Sequence, residues 1–309
     1  MSCYLRVVQT ETEPSTEAWD ITDDEAVRID VSNPKGGPGT YFKAESGETI
    51  WDAIRRMTPW FEPDGKCPFH KTRLNPGEYN RRIARPTEQH SNGAPDRNPG
   101  VQDEIDFVAN MRGQLTVLVR QLSRICQTVQ PVPANFSSFG HDVRNLLILA
   151  CTEVESHWRG VLVANGKQGD RFTTLDYVLL KDAMHLDEYA VTFPNYPWLP
   201  SVKPFAGWGS TGAPTQELKW YDAYNAVKHN RETEFARATL GHAFDAVSAC
   251  AIMLAAQFGL SDGLGERSEV RDFFAISAPR WPWSEVYISP YGRGSEGWNA
   301  VPYPFRIKS

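Results

Sequence analysis

The chain has 309 residues, of which 41% are hydrophobic, and its 38 acidic and 32 basic side chains give a formal charge of −6. A chain of this length buries enough surface to fold without disulfides or a structural metal ion, which excludes the small stapled classes of protein. The net negative charge argues against a protein coated in nucleic acid, because phosphate binding needs a positive field, but it is compatible with a local basic patch.

The N-terminal residues lack a basic start followed by an apolar run, so we expect no signal peptide. No stretch approaches the roughly 18 apolar residues that cross a bilayer, and we therefore expect a cytoplasmic protein that makes no membrane contact. The cysteines are odd in number and far apart, which predicts reduced thiols at Cys3, Cys67, Cys126, Cys151 and Cys250.

Glycine and proline are concentrated in residues 1–100, which predicts a loop-rich region with a few short strands and one helix. Apolar and charged residues alternate from Val27 to Val31, as in a strand with one buried face, and residues 39–44 are its candidate partner. Ser46 is the candidate N-cap of a short helix that follows, whose apolar residues recur at helical spacing up to Met57.

Residues 101–258 show helical periodicity and predict a four- to five-helix bundle, so that the chain as a whole is expected to be mainly α. The second helix is apolar all round at residues 146–150 and is the candidate central helix. The proline-rich residues 193–214 predict a long loop lying over the bundle. Residues 259–309 predict an aromatic, Pro/Gly-rich tail packed on the bundle. The predicted helices cover residues 102–129, 141–164, 174–189, 216–232 and 235–258.

The most informative segment is the helix predicted at residues 216–232. Asn225 and His229 are four residues apart and therefore share a face, with cationic side chains beside them. A histidine transfers protons at neutral pH, cations neutralise phosphoryl oxygens, and an amide orients a substrate, so the stripe suits a phosphate. In the alternative interpretation, Asn225 and His229 form a hydrogen-bonded pair between helices. The stripe consists of Tyr221, Asp222, Tyr224, Asn225, Lys228, His229 and Arg231.

This arrangement resembles the HEPN superfamily of small helical bundles. The resemblance covers residues 101–258: a long helix, an apolar helix with Glu153 and Glu155, and the helix that carries Asn225 and His229. The motif of that family is an arginine, a polar residue, three variable residues and a histidine. Asn225 and His229 match it, whereas Tyr224 occupies the position of the arginine. Many members of the family are metal-independent ribonucleases of toxin–antitoxin, CRISPR and phage-defence systems, and they usually act as dimers.

The resemblance implies a metal-independent RNA endonuclease of a bacterial defence or toxin-type system. His229 would transfer protons, Asn225 would position the ribose or phosphate, and Glu153 would orient His229. We expect no metal ion or other cofactor. We also expect a homodimer, because one copy offers a single histidine whereas cleavage needs an acid and a base. The remaining substrate contacts would come from Lys228 and Arg231, which would stabilise the phosphorane charge, and from Tyr221, Asp222 and Tyr224.

Two alternatives stay open. The chain could be a non-catalytic HEPN-like module that binds a nucleotide or a protein partner, with Tyr224 as the mark of lost activity. It could also be a purely structural bundle whose loop and tail mediate assembly, which needs no chemistry at all.

Three further patterns have ordinary explanations. The segment from Cys67 to His70 has half the spacing of a zinc site but no second half, so we interpret it as a loop. Residues 79–85 place three arginines beside an aromatic ring, which suits single-stranded nucleic acid but is more typical of a solvated charge run. Two pairs on the second helix have the i to i+4 spacing of simple ion pairs: Glu153 with His157, and Glu155 with Arg159.

Overall fold

The fold is a mixed α/β architecture with 47% helix and 15% strand, in which a five-stranded antiparallel sheet precedes a largely helical region of about ten helices. The computed structural model describes residues 2–8, 15–58, 68–88, 97–291 and 297–305, and at Arg231 it describes the backbone only. The expectation of a mainly α chain with a loop-rich N-terminal region is therefore corrected, because that region forms a sheet.

The elements in chain order are as follows. The strands are β1 Ser2–Val8, β2 Ser15–Ile21, β3 Glu25–Arg28, β4 Tyr41–Lys43, β5 Phe69–Lys71, β6 Glu78–Tyr79, β7 Ala190–Thr192, β8 Ala275–Ser277 and β9 Asn299–Ala300. The α-helices are α1 Ile50–Met57, α2 Ile105–Thr128, α3 His141–Ala164, α4 Thr174–Tyr177, α5 Leu179–Met184, α6 Pro214–Glu217, α7 Lys219–His229, α8 Arg231–Glu234, α9 Leu240–Phe258, α10 Leu260–Leu264 and α11 Glu269–Phe273.

The chain divides into two compact units. The segments 259–279 and 301–309 of the predicted tail belong to the second, helical unit, and Arg280–Ala300 belongs to the first. The first unit consists of Met1–Tyr79, Arg85–Ala94 and Arg280–Ala300, and the second of Asn80–Ala84, Pro95–Pro279 and Val301–Ser309.

The first unit is built on the five-stranded sheet, whose order is β4-β3-β2-β1-β5. The predicted hairpin is confirmed, since β3 pairs with β4 and Ala26 lies opposite Phe42. The strands β1 and β2 were not predicted. In β2, charged and hydroxyl side chains obscure the pattern of a buried strand. The sheet accommodates the charge of Glu17 because its carboxylate forms ion pairs with Arg6 at 3.2 Å and with Arg28 at 2.8 Å.

Both faces of this sheet are covered. Trp19, Phe42 and Phe69 on one face pack with Ile50 and Ile54 of α1. The N-cap of α1 is Thr49, whose hydroxyl accepts from the amide of Asp52, so the prediction of Ser46 as the cap is wrong. The opposite face buries Cys3, Leu5 and Ala18 against Val286 and Ile288 of the same unit. The sheet is therefore a complete core of its own.

Two loop or surface interpretations are also wrong. Residues 69–71 form β5, paired with β1, while Cys67 lies outside the described residues. In the arginine run, Arg85 is buried and forms an ion pair with Glu285. Arg82 pairs with Glu104 at 2.6 Å. These two arginines are internal anchors, and neither belongs to a solvated run or a free nucleic-acid surface.

The helical unit surrounds α9, which buries sixteen of its nineteen residues, whereas α3 buries ten of twenty-four. The prediction that α3 is central is therefore wrong. The expectation that no stretch approaches membrane-spanning length is corrected by α9, which in the described part of the chain is the one helix long and apolar enough to cross a membrane; 83% of that stretch is buried inside the fold. A core helix of a globular unit can have the same length and apolar composition.

Helix α9 also contacts α3 through a buried hydrogen bond, in which the Cys250 thiol donates to the carbonyl of Ala150 at 3.1 Å.

The predicted long helices are confirmed in α2, α3 and α9, and the predicted loop is confirmed over residues 193–213, which contain no regular helix or strand, because α6 begins at Pro214. The helix predicted at 216–232 is divided, because Leu218 has extended backbone angles between α6 and α7. The first part, α6, begins at Pro214, where the missing N–H costs no hydrogen bond. The four described cysteines Cys3, Cys126, Cys151 and Cys250 are free thiols, as predicted.

Candidate functional site

Helix α7 presents two different faces. Trp220, Tyr221 and Tyr224 are buried against the rest of the helical unit. Asn225 is half-buried, and His229 is exposed in the last turn. The spacing of the aromatic residues explains this orientation, because large apolar side chains three and four residues apart bury one side of a helix. Asn225 and His229, the two residues that match the motif, therefore lie at the solvent edge and at the C-terminal end of α7, respectively.

Asn225 and His229 do not pair with each other. The side-chain amide of Asn225 donates to the backbone carbonyl of Tyr221 at 3.0 Å, within the same helix. His229 has no hydrogen bond or ion pair with any residue that the structure describes. The alternative of a hydrogen-bonded Asn225–His229 bridge is therefore wrong, and the imidazole is free to meet a ligand.

A second polar group lies on the inner side of α7 and centres on Glu155 of α3. The hydroxyl of Tyr221 donates to Oε1 of Glu155 at 2.5 Å, and the hydroxyl of Tyr224 donates to Oε2 at 3.4 Å. Lys228 Nζ donates to the Tyr224 hydroxyl at 2.8 Å. We call these four residues the Glu155 cluster: Glu155, Tyr221, Tyr224 and Lys228.

The environment of this cluster shifts several pKa values. Burial raises the pKa of Tyr221 well above its ordinary value, and the hydrogen bond to Glu155 raises it further. Burial also raises the pKa of Tyr224. The hydrogen bond to Tyr224 raises the pKa of Lys228, which opposes the effect of its own partial burial. Both tyrosines therefore stay neutral and Lys228 stays charged at neutral pH.

The other predicted site residues are dispersed. Asp222 forms an ion pair with Arg237 at 2.5 Å, so its carboxylate is engaged outside the motif. Glu153 lies on α3 with no hydrogen bond or ion pair to a described residue, and its charge acts on the Cys250 thiol of α9. Burial raises the pKa of Glu153. The side chain of Arg231 is outside the described residues. Thus Glu153 is not brought to His229, and the glutamate that contacts α7 is Glu155.

Glu155 could have been identified from spacing. It follows the buried Cys151 by four residues and precedes the buried Trp158 by three, which places it on the inner face of α3. Its spacing predicted an ion pair of Glu155 with Arg159. In the structure the guanidinium of Arg159 lies over the ring of Phe172. That i to i+4 pair is not present. Nor is the pair of Glu153 with His157, because the buried His157 ring hydrogen-bonds Gln257 of α9 at 2.8 Å.

The loop before α6 packs on the inner end of α7. Trp208 stacks on Trp158 with ring centroids 4.9 Å apart, and Trp158 contacts Tyr221 at 5.3 Å. The indole of Trp220 donates to the carbonyl of Pro204 at 2.8 Å. The predicted packing is thus confirmed for this part of the loop. Trp198 behaves differently, since half of its surface is exposed and its indole donates to Pro131.

Within the described ranges, no group of three or more His, Cys, Asp or Glu side chains could hold a metal ion. No protein family, curated protein or solved structure matches this chain.

Proposed function

We propose that the helical unit is a HEPN-like bundle that binds RNA at the C-terminal end of α7 and cleaves it without a metal ion. One observation carries the proposal: His229 is exposed and has no partner among the described residues, one turn from Asn225 and next to the exposed Lys228. A structural histidine is normally hydrogen-bonded and covered. An imidazole held open beside a cation has the properties of a proton-transfer group for a phosphodiester.

The reaction is an in-line attack of the ribose 2′-oxygen on phosphorus. His229 accepts the 2′-hydroxyl proton, the bond from phosphorus to the 5′-oxygen breaks, and the leaving oxygen takes a proton from His229 of the partner subunit. Lys228 stabilises the charge of the phosphorane. Asn225 orients the ribose by accepting from a hydroxyl with its amide oxygen, or the phosphate by donating its second amide N–H, while the first N–H remains bonded to the carbonyl of Tyr221. The products are a 2′,3′-cyclic phosphate and a 5′-hydroxyl end. A homodimer supplies both histidines.

The test is cleavage of bulk RNA by the wild-type chain in the presence of a chelator, compared with His229→Ala. We expect the substitution to slow cleavage by roughly 100- to 10,000-fold, equivalent to about 3 to 5 kcal/mol of barrier. Because His229 is exposed and unpartnered, the melting temperature should not change. His70→Ala, a substitution in β5 of the other unit, is the matched histidine control and should retain activity.

Two further measurements define the outcome. Added imidazole should restore part of the activity of His229→Ala, because it replaces the missing proton-transfer group and nothing else. Light scattering should give the mass of a dimer at micromolar concentration. A wild-type chain that leaves RNA intact, with or without divalent metal, would refute the catalytic proposal.

A second candidate has a specific observation in its favour. Tyr224 stands at the position of the motif arginine and is buried, so no cation reaches the solvent from that position. This observation favours a non-catalytic HEPN-like module that binds a nucleotide or a protein partner. RNA binding without cleavage by the wild-type chain would decide for this second function.

A further inference from the structure

The Glu155 cluster forms a directed hydrogen-bond chain from the interior to the surface. A neutral tyrosine hydroxyl has one proton to donate and lone pairs to accept. The Tyr224 hydroxyl accepts from the ammonium of Lys228 at 2.8 Å, lies 3.4 Å from Oε2 of Glu155, and also interacts with the side chain of Thr152. Because an ammonium can only donate, the bond between Lys228 and Tyr224 has a single orientation, and the proton of Tyr224 is left for the interior of the unit.

The carboxylate at the inner end is held on both oxygens. Tyr221 occupies Oε1 of Glu155 and Tyr224 occupies Oε2. The bond from Tyr221 is a short, charge-assisted one, which is stronger than a neutral hydrogen bond, whereas the bond from Tyr224 is long at 3.4 Å. Tyr221 therefore orients the carboxylate, and Glu155 in turn orients the Tyr224 hydroxyl from the interior of the unit.

The outer end of the chain keeps donors for a ligand. An ammonium has three N–H donors, and among described residues Lys228 uses one of them, on Tyr224. Its nitrogen also lies 4.9 Å from the centre of the Tyr224 ring, a cation–π distance. Fixing a free lysine side chain costs conformational entropy. Because the contacts with Tyr224 already restrict the Lys228 side chain, less conformational entropy is lost when a ligand binds.

We propose that Glu155 is a positioning residue which, through Tyr224, holds the Lys228 ammonium as the cation that binds a phosphate oxygen of RNA. The inference rests on the proposed function and adds to it the identity of the group that replaces the motif arginine. Tyr224 is then a connector at the arginine position, and the positive charge reaches the surface one helical turn later. The raised pKa of Lys228 agrees with this role, because the cation stays charged across the neutral range.

The test removes elements of the cluster one at a time and compares them with a tyrosine variant outside the cluster. Tyr224→Phe deletes the connecting hydroxyl and Glu155→Gln removes the inner charge. Tyr189→Phe is the matched control, because Tyr189 is buried in the same helical unit and its hydroxyl has no hydrogen-bond partner among the described residues. The probe is a 2′-O-methyl RNA oligonucleotide, which lacks the attacking hydroxyl. Binding is measured over a series of salt concentrations.

We expect Tyr224→Phe and Glu155→Gln to weaken binding roughly 3- to 10-fold while Tyr189→Phe stays within about twofold of the wild type. Lys228→Ala should lower the slope of log affinity against log salt by about one, because one phosphate contact is lost. NMR titration of the Lys228 side-chain nitrogen should show a lower pKa in Tyr224→Phe than in the wild type. A merely structural role of Tyr224 would not move that pKa.

Two negative results are distinguishable. If the wild-type chain binds the oligonucleotide and Tyr224→Phe binds equally well, the positioning role is refuted and the proposed function stands. If the wild-type chain neither binds nor cleaves RNA, the proposed function is refuted, and the assignment of Lys228 to phosphate is refuted with it.

Discussion

The buried His157 should make the stability of the helical unit depend on pH. His157 lies on α3 with 4% of its surface exposed, and its ring hydrogen-bonds the Gln257 amide. Burial lowers its pKa from 6.5 to about 4, and the positive charge of Arg82 acts in the same direction. The folded protein therefore holds this histidine neutral under conditions in which the unfolded chain protonates it.

The direction and the size of this change in stability with pH follow from proton linkage. Between pH 6.5 and 4 the unfolded state binds more protons at this site than the folded state, so stability falls as the pH falls. The stabilisation is fully present above pH 6.5. The difference between the two pKa values corresponds to roughly 3 kcal/mol, lost as the pH drops to 4.

The assay is chemical unfolding of the wild type and of His157→Asn at pH values from 4 to 7.5. At pH 7 the variant should be less stable by roughly 1 to 3 kcal/mol, because volume and a buried hydrogen bond are lost. At pH 4 this deficit should disappear or reverse, because asparagine does not titrate. His229→Asn, at an exposed histidine, should follow the wild-type profile. A deficit of His157→Asn that is equal at pH 7 and pH 4 would refute the reasoning.

Three other substitutions test the helical unit. Burial raises the pKa of Asp245 to about 7, so its ionised form destabilises the fold as the pH rises from about 4 to 7. Asp245→Asn should therefore raise the free energy of unfolding by roughly 2 to 4 kcal/mol at pH 8 and leave it nearly unchanged at pH 4, as measured by chemical denaturation; equal effects at both pH values would contradict this. At Gly263 a Cβ atom would lie 2.6 Å from the carbonyl oxygen of Leu254, so Gly263→Ala should lower the melting temperature. The exposed Gly113 of α2 has open space around its Cβ position, and Gly113→Ala should stabilise by roughly 0.5 to 1 kcal/mol. Equal melting temperatures for the two glycine variants would contradict the packing argument.

Local pattern determined the long helices of this protein. The apolar residues of α2 and α9 recur with the helical period, and Pro131 and Gly259 follow their ends. The hairpin of β3 and β4 was predictable for a similar reason, because the alternation of apolar and charged residues around Val27 reports one buried face. Periodicity of this kind needs no knowledge of the partner that covers the apolar face.

The two central strands could not be recognised in the same way. In β2, Glu17 and Trp19 lie on one face, and the charge is compatible with a sheet because Arg6 and Arg28 come from neighbouring strands. Only strand pairing brings those arginines to the glutamate. Charged side chains that are satisfied across strands have no signature in a single segment of sequence.

In the candidate site, too, some features were predictable from the sequence and others depended on the tertiary structure. The sequence determined that Asn225, Lys228 and His229 lie near one end of a single helix, since their spacing follows the helical turn. Tertiary structure decided that His229 stays open, that Tyr224 is buried, and that Glu155 rather than Glu153 meets α7. The physical reason is that a helix specifies the relative directions of its own side chains, whereas the rotation of one helix against another depends on how all of their apolar faces pack together.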